Sequence, residues 1–279
     1  MSDQMVSNTN TAQAHPSTST STAAESMSST TTRLSSPHAT LRTFSAPFSR
    51  FGIIPVGGRS TAARLSDGGV WVLASTPLDD VTKRGIEELG NEVKYIIAPD
   101  VVHHLYIKDF AMAYPGAKVI GVDGLEKKRT DVKWDGLYGK DAPDTRYGFE
   151  DDISARYFST FANKDVAFCH HESKSLITAD LIFNLPCNEQ YSNTSSGRPT
   201  SLIPFLSFFS KYMVPSSSFH QSFLWSAGAA SGQGSTSDRR RQFAKDAQAV
   251  STWEFERIIM CHGDVLEGRE KAKKAWREA

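Results

Sequence analysis

The residues of this chain best suited to chemistry are five histidines and one aspartate, and each follows an apolar stretch of β-forming residues. Residues 95–98 precede His103 and His104, residues 166–169 precede His170 and His171, residues 176–179 precede Asp180, and residues 258–261 precede His262. In α/β proteins, ligands bind outside the carboxyl ends of strands, where the following loops converge. These residues are therefore candidates for one shared site.

Imidazole nitrogens and carboxylate oxygens are typical ligands of Zn²⁺ or another divalent first-row metal. Three or four such ligands with one open position make a hydrolytic centre. The alternative for each histidine is that it caps the sheet by hydrogen bonding to main-chain groups. The sequence contains no His-x-His or His-x-x-x-His pair, so spacing alone leaves both interpretations open.

The elements that must position these residues begin as strands and then alternate between strands and helices. Strands are predicted over residues 52–56, 62–65, 70–74, 93–98, 118–122, 155–158, 166–169, 175–183 and 257–261. Helices are predicted over residues 77–89, 104–114, 201–213, 239–251 and 266–278. This order predicts an α/β (α+β) protein in which mixed sheets are covered by helices.

Four segments resemble, in order, the motifs of the metallo-β-lactamase-like superfamily. They are residues 96–104 (IIAPDVVHH), 168–170 (FCH), 176–184 (LITADLIFN) and 259–264 (IMCHGD). The similarity is closest to a branch catalogued only as a domain of unknown function, and it spans about residues 51–279. It implies a single-domain, four-layer αββα sandwich with metal ions bound at the sheet edge.

The first motif departs from the pattern of active superfamily members, which is HxHxDH. Its four metal-binding positions hold Pro99, Val101, His103 and His104. The later motif positions keep metal-binding residue types, namely His170, Asp180 and His262. Because two early ligands are missing, the resemblance implies a reduced, single-metal site built from His103 or His104 together with those three residues.

The activity that this site implies is metal-dependent hydrolysis of a small-molecule substrate. Asp180 is expected to be both a ligand and the group that orients the attacking water. His104 and His262 are expected to be direct ligands. His103 is the second catalytic candidate, because it can move protons or, with Asp100 or Asp264, hold the imidazoles in place. His171 is expected to lie in a turn.

Two other functions fit the same residues. Pro99 and Val101, at positions where ligands are expected, favour a catalytically inactive member that binds a ligand or partner. A redox role with iron at the same residues is the other alternative. Metal content and turnover distinguish the three.

Composition excludes several classes of protein. The 279 residues carry 31 Lys and Arg against 31 Asp and Glu, which gives no basic excess for nucleic acid or an anionic membrane. Three cysteines do not make a disulfide scaffold and fit a reducing compartment. No apolar run approaches the length of a membrane span. We therefore expect a cytoplasmic protein, and composition carries no signal for its oligomeric state.

Two segments are predicted to lie outside the packed structure. Residues 1–45 are rich in Ser and Thr and poor in large apolar residues, so they are predicted to be a disordered tail. The scarcity of acidic residues in this tail also fits an organelle transit peptide. The folded domain is then predicted over residues 46–279, with a flexible insert near 226–238.

Overall fold

The computed structural model describes residues 30–33, 40–90, 92–197, 199 and 211–279, and the strands within them form two sheets and one short hairpin. The first sheet contains, in spatial order, β1 (Thr30–Arg33), β2 (Leu41–Ala46), β5 (Gly58–Arg64), β6 (Gly69–Leu73), β7 (Glu92–Ile97), β8 (Lys118–Val122) and β9 (Gly136–Tyr138). The second contains β10 (Ile153–Tyr157), β11 (Val166–His170), β12 (Ser175–Thr178), β13 (Arg257–Met260) and β14 (Leu266–Glu267). The hairpin pairs β3 (Ser49–Arg50) with β4 (Ile54–Pro55).

Helices cover the outer face of each sheet. They are α1 (Asp80–Glu87), α2 (Ile107–Ala113), α3 (Leu125–Lys128), α4 (Asn188–Tyr191), α5 (Ser218–Ala227), α6 (Thr236–Ser251) and α7 (Arg269–Glu278). Helices α1 and α2 contact the first sheet, whereas α6 and α7 contact the second. This is the α–β–β–α layering expected from the sequence, which is confirmed. In the described ranges, no helix combines the length and apolar character needed to cross a bilayer.

The interior between the two sheets is aromatic. The Trp71 ring on β6 meets the Phe168 ring on β11 edge to face at 5.0 Å, and Phe149 packs against both. A second apolar cluster lies between the second sheet and its helices and includes Phe158, Leu176, Leu224, Val250, Phe255 and Ala272. Burying each large apolar side chain stabilises the fold by about 1.5–3 kcal/mol. The second sheet is therefore covered on both faces, which leaves its edges for polar side chains.

Several predicted elements have different bounds in the structure. Residues 52–56 do not form one strand, because the chain turns back after β3 and enters β4. The strand predicted over 175–183 ends at Thr178. Of the helix predicted over 266–278, residues 266 and 267 form β14 instead. The helix begins at Arg269, after Gly268, whose φ of +94° lies in the left-handed region. Of the predicted helix 201–213, residues 201–210 lie outside the described residues.

The folded domain begins before the predicted boundary at residue 46. Strand β2 pairs antiparallel with β5, and Leu41 and Phe44 are buried in the core. Composition missed this strand because Thr43 and Ser45 count as polar there, although both are fully buried in the sheet. Residues 1–29 and 34–39 of the predicted tail lie outside the described residues.

The predicted flexible insert near 226–238 overlaps two helices. Helix α5 continues to Ala227, and α6 begins at Thr236 behind an N-terminal capping box formed by Ser235 and Asp238. In the connection between the helices, the Ser231 amide donates to the Thr160 carbonyl, and Ala229 is buried. Residues 228–235 therefore form a short connection that contacts the domain.

His220 is fully buried on α5, although the segment around it is polar and predicts a solvated side chain. Its Nε2 accepts a hydrogen bond from the Phe183 amide at 3.0 Å, so the proton of the neutral ring is on Nδ1. Burial lowers the pKa of His220 to about 4. The folded state therefore holds this imidazole neutral across the mildly acidic range.

We expect His220 to make the protein less stable as the pH falls from about 6.5 to about 4. In that window the unfolded chain protonates this histidine and the folded chain does not, so the free energy of unfolding decreases by up to about 3 kcal/mol. Urea unfolding of wild type and His220→Gln at several pH values measures the contribution, since glutamine keeps an acceptor but does not titrate. Equal pH dependence in the two proteins would contradict it.

Candidate metal centre

Three polar residues from distant parts of the chain meet at one edge of the sheets. His103 follows β7, Asp180 follows β12, and His262 follows β13. Strands β12 and β13 are parallel neighbours, so their carboxyl ends lie side by side and bring Asp180 next to His262. One donor atom from each of the three residues lies within 4.8 Å of the other two. We refer to His103, Asp180 and His262 as the donor triad.

The donor triad points two imidazole nitrogens and one carboxylate oxygen at a common centre. Nε2 of His262 lies 3.4 Å from Oδ1 of Asp180 and 3.1 Å from Nε2 of His103. Nε2 of His103 lies 4.0 Å from the same oxygen. Oδ1 of Asp180 is buried and accepts no hydrogen bond from any described residue. Burying a hydrogen-bond acceptor without a donor costs free energy, and a cation bound at this position would remove that cost.

The atoms of the donor triad that face away from this centre are held by hydrogen bonds. Nδ1 of His103 bonds Oδ2 of Asp100 at 2.7 Å, and Nδ1 of His262 donates to the Gly57 carbonyl at 2.6 Å. Oδ2 of Asp180 accepts from the Asn163 amide nitrogen. Metal-binding histidines usually donate their second nitrogen to a carboxylate or carbonyl in this way. All three side chains are thus oriented by their neighbours.

Asp100 also fixes the loop that carries His103. Its side chain is fully buried, and its Oδ1 accepts from the main-chain amides of Val102 and His103, both at 2.7 Å. Burial disfavours the charge of Asp100, but the His103 imidazolium lowers the pKa of this carboxyl below its usual value. Asp100 therefore stays ionised and gives His103 a charged hydrogen-bond acceptor.

The charges of the donor triad favour a cation. Burial lowers the pKa of His103, but the carboxylates of Asp100 and Asp180 outweigh burial and raise it to about 10. Burial lowers the pKa of His262, whose Nε2 therefore carries a lone pair. In this geometry the His103 imidazolium donates its Nε2 proton to His262. A metal ion bound here would take the place of that proton, because it would need the lone pairs of both nitrogens.

The residues present fit a single divalent ion. Two imidazoles and one carboxylate are the protein ligands of several catalytic zinc sites and of non-haem iron centres, both of which keep open positions. Within the described ranges, this is the one group of three or more His, Cys, Asp or Glu residues whose donor atoms converge in this way.

The structure does not bring His170 to the donor triad, contrary to its predicted role as a ligand. Strand β11 runs antiparallel to β12, and His170 pairs with Ser175 at the hairpin end, opposite the edge where Asp180 lies. Its nitrogens bond the Ser173 hydroxyl at 2.8 Å and the Arg64 carbonyl at 3.1 Å. His170 therefore caps the sheet by hydrogen bonding, which is the alternative that the sequence left open for each histidine.

His104 also lies outside the donor triad, although it directly follows His103. Its ring nitrogens are not among the converging donor atoms, and its main-chain carbonyl accepts from Arg129. Its Nδ1 is buried without a described partner. The expectation that His104 is the direct ligand and His103 its supporting residue is therefore wrong, because the structure brings His103 and not His104 to the site. His171, as expected, lies in the turn, where it bonds Ser154 and the Asp151 carbonyl.

Asn163 and Asp165 are site residues that the sequence interpretation missed. Oδ2 of Asp165 accepts from the Asp180 amide at 2.6 Å, and its side chain is fully buried. Burial, together with the negative charges of Asp100 and Asp180, raises the pKa of Asp165 well above its usual range. The antiparallel register was the available signal, because residues just before β11 must lie beside residues just after β12.

A cavity of about 180 Å³ opens beside the donor triad. It is lined by His103 and His262 and by Phe48, Arg50, Gly58, Ser75, Val102, Leu105 and Tyr106. The His262 ring is held between two aromatic rings, with Phe183 at 5.6 Å and Phe48 at 6.4 Å between centroids. A small molecule in this cavity contacts the two histidines directly.

Comparisons with known proteins agree with this architecture. No protein-family model and no curated protein sequence matches the chain. Solved structures do match. The DIM-1 metallo-β-lactamase exposed to ceftazidime aligns with a TM-score of 0.53 at 11% identity, over 89% of this chain and 94% of that one. A metallo-β-lactamase from Pontibacter korlensis aligns with a TM-score of 0.50 at 11% identity, over 88% and 96%.

A second group of similar structures contains iron-protein cores. The metal-soaked Flv1 flavodiiron core from Synechocystis sp. PCC6803 aligns with a TM-score of 0.59 at 12% identity, over 90% of this chain and 61% of that one. At these identities the likeness establishes the architecture. The chain has the metallo-β-lactamase-like fold.

Proposed function

We propose that the protein is a metal-dependent hydrolase that holds a single divalent ion, zinc or another first-row metal, with His103, Asp180 and His262. The observation that carries this proposal is the convergence of two imidazole nitrogens on a buried carboxylate oxygen that has no hydrogen-bond donor among the described residues. Hydrogen bonds from behind orient each of the three side chains. The cavity beside them provides room for a substrate.

When bound, such an ion supplies a water of lowered pKa and polarises the substrate oxygen. The chain's own residues supply the positioning. Asn163 holds one oxygen of Asp180, so the other points at Nε2 of His262 and is available to bind the ion or to accept a proton from its water. Asp100 holds Nδ1 of His103 and thereby fixes its ring. We therefore propose that His103 and Asp180, the two predicted catalytic residues, bind the ion and move protons.

A single ion is favoured over two because the early motif positions hold Pro99 and Val101, whose side chains cannot ligate a metal. In the ranges that the structure describes, no second converging donor group lies beside the donor triad. A reduced site of this kind remains sufficient for hydrolysis, since catalytic zinc sites commonly use three protein ligands.

The test measures metal and turnover on the same preparation. Full-length protein is stripped with a chelator, reconstituted with zinc, manganese or iron(II), and analysed for metal content. It is then assayed on a panel of esters, thioesters and phosphodiesters. We expect about one ion per chain and metal-dependent hydrolysis of at least one class. Absence of a stoichiometric metal would reject the proposal.

Two other results would assign other functions. A stoichiometric metal without turnover on any substrate class would favour an inactive binding protein, which the loss of the two early histidines also supports. A coloured, oxygen-reactive iron form would favour a redox role. The two-histidine, one-carboxylate donor set and the likeness to a flavodiiron core support that second candidate.

A further inference from the structure

The lining of the cavity beside the donor triad combines apolar walls with cationic side chains. Phe48, Val102, Leu105 and Tyr106 supply the apolar surface, and the lining contains no carboxylate. Arg50 lies on the same lining as His103 and His262 but is not part of the donor triad. A neutral apolar molecule would leave the charge of this arginine unused, whereas a molecule with an anionic end would pair with it.

Arg50 is available for such a pairing. It ends strand β3 and is solvent-exposed, and no described carboxylate forms an ion pair with it. By contrast, Arg59 and Arg42 are both tied to glutamates, at 2.6 and 2.7 Å. The described interaction of the Arg50 guanidinium is with the ring of Phe51, whose centroid lies 5.5 Å away.

Phe51 lies in the turn of the β3–β4 hairpin, where the Ile53 amide donates to the Arg50 carbonyl at 3.2 Å. Its φ of +55° lies in the left-handed region, which is unfavourable for a bulky aromatic residue. Its side chain is 81% exposed, so it contributes little to the core. The hairpin turn accounts for the positive φ, so the feature that remains to be explained is the exposed aromatic ring. What the ring does here is to stack on Arg50 and limit the positions of the guanidinium at the mouth of the cavity.

We propose that Arg50, positioned by Phe51, binds the anionic group of the substrate, which is therefore a small amphiphile with an apolar body and a carboxylate or phosphate end. The apolar body lies against Phe48, Leu105 and Tyr106, and the bond to be cleaved lies next to His103 and His262. This inference rests on the proposed function for the reaction, but the recognition of the anion depends on Arg50 and not on a metal.

The test compares ligands of similar size that differ in charge. Calorimetric titration of the full-length protein uses 3-phenylpropanoate, its uncharged amide 3-phenylpropanamide, and 2-phenylethylphosphonate. We expect wild type to prefer the two anions over the amide and Arg50→Gln to lower their affinity about tenfold. Affinity for the amide should stay unchanged, and Arg50→Lys should retain part of the preference. The two anions distinguish a carboxylate from a phosphate substrate.

Arg240→Gln is the matched control, because Arg240 also stacks on an exposed aromatic ring, with its guanidinium 5.4 Å from the centroid of Trp225, but lies outside the cavity. It should leave all three affinities unchanged. Phe51→Gly is a second test, since it removes the stacked ring and relieves the positive φ. It should lower anion affinity about threefold without destabilising the fold.

The proposal is overturned if wild type binds no anion, if it binds the amide as tightly as the anions, or if Arg50→Gln lowers all three affinities equally. Titrations of both the chelator-treated and the zinc-loaded protein separate this outcome from failure of the proposed function. Arg50-dependent anion preference without stoichiometric metal would reject the hydrolase alone. Stoichiometric metal without Arg50 dependence would reject this inference alone.

Discussion

Replacing His262 with alanine is expected to remove the bound metal, whereas replacing His170 with alanine leaves it in place. Both histidines are buried at the carboxyl ends of strands, so the sequence does not distinguish them. His262 directs Nε2 at Oδ1 of Asp180 from 3.4 Å. His170 uses both nitrogens on Ser173 and the Arg64 carbonyl at the opposite edge.

Two measurements check this expectation. Elemental analysis after equilibration in metal buffer should give about one ion per chain for wild type and for His170→Ala, but almost none for His262→Ala. Saturating metal at about 100 times Kd should raise the free energy of unfolding of wild type by about 2.7 kcal/mol. The same increase should appear in His170→Ala and be absent in His262→Ala.

The His170 variant is also expected to lose stability for a reason unrelated to metal. Removing the imidazole leaves the partly buried Arg64 carbonyl without this donor, which costs about 1 kcal/mol. If His170→Ala lost as much metal as His262→Ala, the donor triad would be wrong. The sequence-based assignment of His170 as a ligand would then be restored.

The second large effect is expected at Arg59, a buried arginine that connects the first sheet to the loop of His262. Its Nη1 donates to the main-chain carbonyls of Met260 and Gly263, at 2.8 and 2.6 Å, on either side of His262. Its Nη2 donates to Glu189 at 2.6 Å, and its Nε donates to the Ser45 hydroxyl at 3.2 Å. Four of the five N–H groups of the guanidinium thus donate to partners inside the protein.

Arg59→Met is expected to lower the free energy of unfolding by about 3–5 kcal/mol, because it removes the charged partner of Glu189 and one donor from each of two main-chain carbonyls. Urea unfolding measures this loss. The control is Arg269→Met, which breaks the exposed pair of Arg269 and Glu254 and should cost about 0–1 kcal/mol. Metal affinity should also fall in Arg59→Met, since the loop that presents His262 loses two of its main-chain contacts.

A loss similar to that of Arg269→Met would show that the Arg59 network contributes no more than a surface ion pair. Glu189→Gln separates charge from hydrogen bonding, because it keeps an acceptor for Arg59 at the same place. It should destabilise the protein less than Arg59→Met does, since one buried charge remains paired with the two carbonyls.

Much of the architecture could be predicted from local patterns. The apolar runs before His103, Asp180 and His262 predicted strands that the structure contains, and the alternation with helices predicted the layered sandwich. These features depend on the spacing of neighbouring residues, so they can be recognised in the sequence alone. The predicted tail boundary was wrong because composition counts Thr43 and Ser45 of β2 as polar residues, whereas both are buried in the sheet.

The sequence by itself determined which residue types stand at the ends of the strands, and therefore that a metal site was possible. Only the tertiary structure decided which of them share an edge. His170 and Asp180 both follow strands, but β11 and β12 run antiparallel, so their carboxyl ends lie at opposite edges of the sheet. The register of the β11–β12 hairpin also brought Asn163 and Asp165 beside Asp180. The contacts of His103 and Arg59 with the His262 loop are of a different kind and are not encoded by any local pattern, because they join residues that meet only when the two sheets assemble.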